Sequence, residues 1–248
     1  MRLNCSACDT ISHITVQYGR SPEGGSMLQP SYYFENDFSR FVPYFMSKPH
    51  VQESFSKGES LNGPEGNTGN IHYVISGMAV TFTMHEDGNL KIVSYHGAGT
   101  LYPVTQEAAY NIEKSIVIRA TTDMKVLTFT KDTYLDMLRE NGSFCFQVSE
   151  WKSKYINLLL FESCHQTYND GLTRLCNLLL LLAYRSEGEQ IRMSQEELAE
   201  ILGTTRVYVA QKLAFLRQEG ILTTGRGQIE IADHVRLTEY CSCEMLEE

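Results

Sequence analysis

Residues 1–30 show no sustained hydrophobic period and carry the turn-forming run Ser21-Pro22-Glu23-Gly24-Gly25. They read as an irregular arm leading into a short helix near 37–46. From about Val51 to Phe129 short β-rich runs (71–75, 78–84, 90–95, 115–121 and 125–130) alternate with glycine-bearing turns, which is the pattern of an antiparallel roll. The clearest hairpin joins 78–84 to 90–95 through His85-Glu86-Asp87-Gly88-Asn89, where Asp-Gly supplies the positive φ of a tight reversal.

After Lys131 the period becomes helical, first over about 132–139 and then over a long stretch that starts at Asn141-Gly142. Phe144, Val148, Trp151, Tyr155 and Leu158 recur at +4, +3, +4, +3, the seam spacing of a helix lying lengthwise on another helix. A helix lying on its own β-domain gives the same spacing. The polar residues Gln147, Lys152, Lys154 and Asn157 fill much of the opposite side, so pairing across a dimer axis is the expectation, with Glu162 and His165 continuing the seam. Asn169-Asp170-Gly171 ends this pattern and opens a very apolar helix over 172–184. The reading is therefore α+β: a cupin-like antiparallel β-roll with its N-terminal arm over 1–140, a dimerisation helix over 141–169 and a further, C-terminal domain over 170–248.

Within the last part, 193–213 reads as helix, glycine turn, helix. Ser194 and Glu197 form a capping box, and Leu198, Ile201 and Leu202 face one side. Gly203 turns the chain, Thr204 or Thr205 caps the second helix, and Val209, Leu213 and Leu216 give that helix a buried face. An ordinary helical hairpin fits the same spacing, and charge separates the two readings. The whole chain carries a formal −9, and 170–248 holds 8 Lys/Arg against 13 Asp/Glu. Yet 203–226 holds Arg206, Lys212, Arg217 and Arg226 against Glu219 alone, a local +3. On the outward face Arg206, Val207 and Gln211 suit base edges: Arg bridges guanine O6/N7, Gln bridges adenine N6/N7, and Val meets the thymine methyl. Beyond them 220–224 and 228–231 flank Gly225-Arg226-Gly227, a hairpin with a basic tip suited to phosphate: a wing, so that 170–248 reads as a winged helix-turn-helix DNA-binding domain.

The order of these parts, the segment Tyr73-Val74-Ile75-Ser76-Gly77-Met78-Ala79-Val80 with its Asp87-Gly88 hairpin, and residues 193–216 together resemble the CRP/FNR family of bacterial transcription regulators. The resemblance covers nearly the whole chain. It implies a homodimer that reads a palindromic operator in double-stranded DNA with Arg206, Val207 and Gln211. Ser194, Gln195, Thr205, Tyr208, Lys212 and Arg226 are then the phosphate contacts, and RNA polymerase joins the partners if the regulator activates. Members that read a TGTGA-type half-site carry Glu and Arg where this chain has Val207 and Gln211, so a more A·T-rich half-site is expected.

In the family's cyclic-nucleotide cassette, Gly-Glu-Leu holds the ribose and Arg-Ser-Ala the phosphate; the counterparts here are Gly99-Thr100-Leu101 and Lys114-Ser115-Ile116. Without the Glu, and with Lys in place of a bidentate Arg, cyclic AMP is not expected. A pocket of Thr100, Leu101, Tyr102, Lys114 and Ser115 is expected to hold another small anion, whose binding shifts the break at Asn169-Asp170-Gly171. A solvated Lys114 at a strand end is the plainer alternative. Cys5-x2-Cys8 resembles the cysteine cluster of oxygen-sensing members, but too few thiols accompany it for an iron–sulfur cluster, and His72, His85 and His96 lack ligand spacing for a metal or haem. A thiol-based redox regulator of the same fold remains an alternative. A cupin-like metal enzyme needs a His-x-His ligand set that is absent, and no nucleophile elbow, phosphate loop or catalytic carboxylate pair stands out, so no catalytic residue is expected. Seven cysteines in odd number, no apolar run near 20 residues and no N-terminal apolar stretch point to a reduced, cytoplasmic protein away from membranes.

Overall fold

A computed structural model describes residues 30–61, 69–103, 116–186 and 190–245. The packing divides the described chain into two compact units, one of residues 30–161 and one containing 162–245. The division falls inside a single long helix.

The first unit is built on two four-stranded sheets. One orders β1 (Tyr33–Phe34), β5 (Leu90–Gly97), β4 (Met78–Met84) and β7 (Ile116–Ala120). The other orders β2 (Val51–Phe55), β8 (Met124–Phe129), β3 (Ile71–Ser76) and β6 (Leu101–Tyr102). All pairs are antiparallel except β1 with β5, which is parallel. The β4–β5 hairpin reverses as its sequence predicts: Met84 faces Leu90, the His85 amide donates to the Asn89 carbonyl at 2.9 Å, and Gly88 has φ 81°. Strands β1 and β2 and the two-residue β6 escape the sequence reading because each is too short, or too polar, to show a period of two.

An aromatic layer closes the second sheet. Helix α1 (Val42–Met46) brings Phe45 against Tyr73 at 4.9 Å and Phe129 at 5.8 Å, and Phe144 meets Phe41 and Phe45 edge-on at 5.4 and 5.5 Å. Helix α2 (Lys131–Glu140) follows, N-capped by the Thr130 hydroxyl, and α3 (Gly142–Tyr168) begins where the Asn141 side chain accepts the Phe144 amide at 3.0 Å.

The face that α3 buries corrects one expectation. Phe144, Val148, Trp151 and Leu158 are buried, and half-buried Tyr155 stands with them, against the chain's own roll and not on a free seam. Trp151 packs on Phe34, His96 and Tyr102 with ring centroids 5.3, 6.1 and 6.2 Å apart, and Tyr155 meets Phe34 at 5.4 Å. Periodicity identifies a buried helix face but does not name its neighbour. On α3 the opposite side is apolar as well, where Phe146, Ile156, Leu159 and Leu160 are 64, 54, 44 and 59% exposed.

The second unit contains the apolar α4 (Gly171–Arg185), then α5 (Gln195–Leu202), α6 (Arg206–Gln218), the hairpin β9 (Leu222–Gly225) with β10 (Gln228–Ile231), and α7 (His234–Thr238). Its core is aliphatic: Leu175, Leu178, Leu179, Leu198, Ile201, Val209, Leu213, Leu216, Ile221 and Leu237 are all buried. Among the described residues no helix is long and apolar enough to cross a membrane.

Candidate nucleic-acid interface

Three local devices set the geometry of α5 and α6. Ser194 accepts the Glu197 amide at 3.1 Å while the Glu197 carboxylate accepts the Ser194 amide at 2.9 Å, a reciprocal capping box that satisfies first-turn donors. Gly203 ends α5 in the left-handed region at φ 61°, ψ 44°, a conformation that costs a side-chain-bearing residue about 1–2 kcal/mol. Thr205 then caps α6 by accepting the Tyr208 amide at 3.2 Å. The sequence leaves Thr204 or Thr205 open as the cap; the structure selects Thr205.

With Val209, Leu213 and Leu216 buried, Arg206, Val207 and Gln211 stand exposed on the outer face of α6, Val207 with 66% of its surface open. A large exposed aliphatic side chain between an arginine and a glutamine has no role in the core and suits a thymine methyl in a major groove. Lys212 is half-buried, with its Nζ 5.2 Å from the centre of the Tyr208 ring. Tyr208 departs from the simple phosphate role: its hydroxyl is turned onto Gly171 at the start of α4, where a Cβ would lie 2.2 Å from Oη. Ser194 and Gln195 are half-exposed and Thr205 is exposed at the starts of the two helices.

The wing forms where it is expected. Gly225 pairs with Gln228, so Arg226-Gly227 is the two-residue tip; Gly227 carries φ 69° and Arg226 is exposed. The Ile191 and Ile229 amides and carbonyls exchange hydrogen bonds of 2.9 and 3.0 Å, which extends the hairpin onto a third segment. Arg217 donates from Nη1 to the Thr224 hydroxyl at 3.4 Å and so ties α6 to the wing. The one acid of the basic stretch, Glu219, is engaged from α7: Arg236 Nη2 lies 3.1 Å from its carboxylate, and Nη1 donates to its backbone carbonyl. That ion pair neutralises the single acid of the stretch locally.

Sequence reasoning misses Asn177. It is fully buried in the leucine-rich α4, and its Nδ2 contacts His165 Nε2 at 2.8 Å and the Ser242 hydroxyl at 2.7 Å while its Oδ1 accepts the Ser242 amide at 3.0 Å. A lone amide inside an apolar helical run is the signal that could have exposed it, because such a group must find partners.

In the roll, Thr100, Leu101 and Tyr102 are all buried, and the Thr100 hydroxyl donates to the Phe34 carbonyl at 2.7 Å. Lys114 and Ser115 lie outside the described residues, as do Cys5 and Cys8. The adjoining interior is aromatic and protonically quiet. Tyr102 stacks on His96 at 3.8 Å, burial pushes its phenol well above the ordinary range, and burial lowers His96 to about 3. His96 Nε2 shares a 2.9 Å hydrogen bond with the Ser94 hydroxyl. Cys176 and Cys241 are held by burial as thiols, Cys241 pushed up to about 12, so neither supplies a thiolate at neutral pH. No group of three or more His, Cys, Asp or Glu among the described residues could hold a metal ion.

Residues 173–240 match the Crp-like helix-turn-helix domain. The cAMP-activated global transcriptional regulator CRP of Salmonella typhimurium is 21% identical over 189 residues, which span 73% of this chain and 89% of that protein. FixK2 from Bradyrhizobium japonicum shares the fold with a TM-score of 0.66 at 18% identity, over 79% of this chain and 98% of FixK2. A CooA mutant from Carboxydothermus hydrogenoformans gives 0.68 at 20% identity, over 80% and 90% of the two chains. The chain thus shares its fold with FixK2 and CooA, and its C-terminal part is a Crp-like helix-turn-helix domain.

Proposed function

We propose that this protein is a transcription regulator of the CRP/FNR type and works as a homodimer that reads a palindromic operator with α6. The observation that carries the reading is the division of α6 into two faces. One seals the core with Val209, Leu213 and Leu216; the other offers Arg206, Val207 and Gln211 beside a basic wing tip. Two such helices placed by a two-fold axis read half-sites about 34 Å apart along B-DNA. Arg206, Val207 and Gln211 supply sequence choice. Ser194, Gln195, Thr205, Lys212 and Arg226 supply phosphate contacts, and RNA polymerase is the further partner where the regulator activates.

The partner copy docks on the outer face of α3. Phe146, Ser149, Ser153, Ile156 and Leu160 recur at +3, +4, +3, +4, a coiled-coil seam in which two small serines lie between large apolar side chains. The Ser153 hydroxyl bonds the Ser149 carbonyl at 3.1 Å, so this stripe meets a second copy without stranding that donor.

The effector is a small anion other than cyclic AMP, bound in the roll near Thr100, Lys114 and Ser115. Thr100 favours the exclusion of cyclic AMP: its hydroxyl is committed to the Phe34 carbonyl and offers no carboxylate to a ribose. Selection of bound fragments from random DNA tests the function as a whole. A palindrome with A·T-rich half-sites is the expected product; recovery of no consensus would contradict the reading.

A further inference from the structure

Gly171 is the first residue of α4, and its backbone is not in the left-handed region that only glycine tolerates. Glycine in a helix is disfavoured against alanine by up to about 1 kcal/mol, so helix formation does not call for it. Space does. A Cβ there would lie 2.2 Å from Oη, 2.6 Å from Cζ and 2.8 Å from Cε1 of Tyr208, and all three of these nearest neighbours belong to one side chain. One turn later Arg174 donates from Nη2 to the carbonyl of Leu202, the last residue of α5. The first turn of α4 therefore touches both helices of the helix-turn-helix. That turn is itself fixed at its head, where the Asp170 carboxylate accepts the Leu172 and Thr173 amides, each at 2.9 Å.

We infer that Tyr208 is a positioning residue for DNA reading: it seats α6 on Gly171, so the first turn of α4 sets the angle at which Arg206, Val207 and Gln211 meet the bases. The inference rests on the reading of α6 as the DNA-reading helix. Tyr208 adjoins Val207 and stands one turn from Gln211, so any shift of its ring carries the reading face with it. Asn169-Asp170, the break that follows α3, immediately precedes Gly171. A movement at that break reaches the reading face through one aromatic contact. The phosphate role assigned to Tyr208 from the sequence gives way here to a different one, in which the side chain faces the fold.

The test uses the full-length protein with Gly171→Ala, Tyr208→Ala and both together, measured on a selected operator duplex and a random duplex at one salt concentration. Gly171→Ala is expected to weaken operator binding about tenfold and random-duplex binding by less than about twofold, since an angular error costs base contacts and leaves charge in place. Tyr208→Ala, which removes atoms and creates no clash, is expected to lower the same ratio, and the double variant to be no worse than Tyr208→Ala. An equal loss on both duplexes for Tyr208→Ala would make it a phosphate contact and overturn the proposal. So would a Gly171→Ala loss that persists in full when Tyr208 is already alanine. Denaturant unfolding of the same four proteins reads the contact without DNA: Gly171→Ala should destabilise only while Tyr208 is present, and additive effects would refute the seat. A wild-type protein that shows this coupling but does not prefer operator over random DNA would leave the seat standing and remove the DNA reading.

Discussion

The indole of Trp151 packs on the ring of Phe34, 5.3 Å between centroids, so the centre of the long helix is bound to the first strand of its own roll. Its other partners on that side, His96, Tyr102 and Tyr155, complete an aromatic wall, and the indole is 2% exposed. On the proposed reading, the partner copy meets the other face of α3.

Substituting the two faces should give opposite phenotypes. Phe146→Glu with Leu160→Glu is expected to yield a folded monomer by sedimentation, since both side chains are exposed in the protomer. Trp151→Ala is expected to leave the sedimentation of the folded fraction unchanged and to cost about 3–5 kcal/mol of stability, the cost of a large cavity. A dimeric Phe146→Glu/Leu160→Glu protein would rule out the outer stripe as the seam.

His96 sets an acid limit on the roll. Burial lowers it from 6.5 in the unfolded chain to about 3, so it is neutral when folded and takes up a proton on unfolding. Its contribution to stability is full above pH 6.5 and is lost as pH falls toward 3, with a slope of up to about 1.4 kcal/mol per pH unit. His72, also lowered by burial, adds the same sign. Equilibrium unfolding between about pH 7 and pH 4 should show a shallower acid loss for His96→Gln than for wild type. Parallel curves would mean that the ring is not buried as described.

Asn177 holds the C-terminal segment through Ser242. Asn177→Leu keeps the volume but leaves the Ser242 amide without its acceptor, so a loss of about 1–3 kcal/mol is expected. Hydrogen exchange should quicken at Ser242, and unchanged exchange there would show that other contacts retain the segment.

The parts legible in the sequence were those whose physics is local. The Ser194/Glu197 box, the Gly203 turn and the Arg226 tip depend on residues within a few positions of one another, and each is found where its spacing puts it; the cap of α6 was narrowed to Thr204 or Thr205, and the structure selects Thr205. The β4–β5 hairpin was legible for the same reason. What a face packs against is not local. The seam on α3 is written in one periodicity for two possible neighbours, and only the fold shows that Phe34 and His96 take it. The turn of Tyr208 onto Gly171 is likewise invisible to spacing, because the two residues are brought together by the chain reversing through α5. Asn177 stood in plain view as a polar residue among leucines, but its partner Ser242 lies 65 residues away.

The central claim is that the outer face of α6 reads bases while the wing tip holds phosphate. Competition binding at one fixed salt concentration, with operator and random duplexes side by side, tests it most directly. Arg206→Ala should cost about 1–3 kcal/mol per half-site on the operator and little on random DNA. Arg226→Ala should weaken both alike, and a salt titration of that variant should show a slope shallower by about one unit for each phosphate no longer neutralised. Equal losses on the two duplexes for Arg206→Ala would contradict the account and remove α6 as the reader.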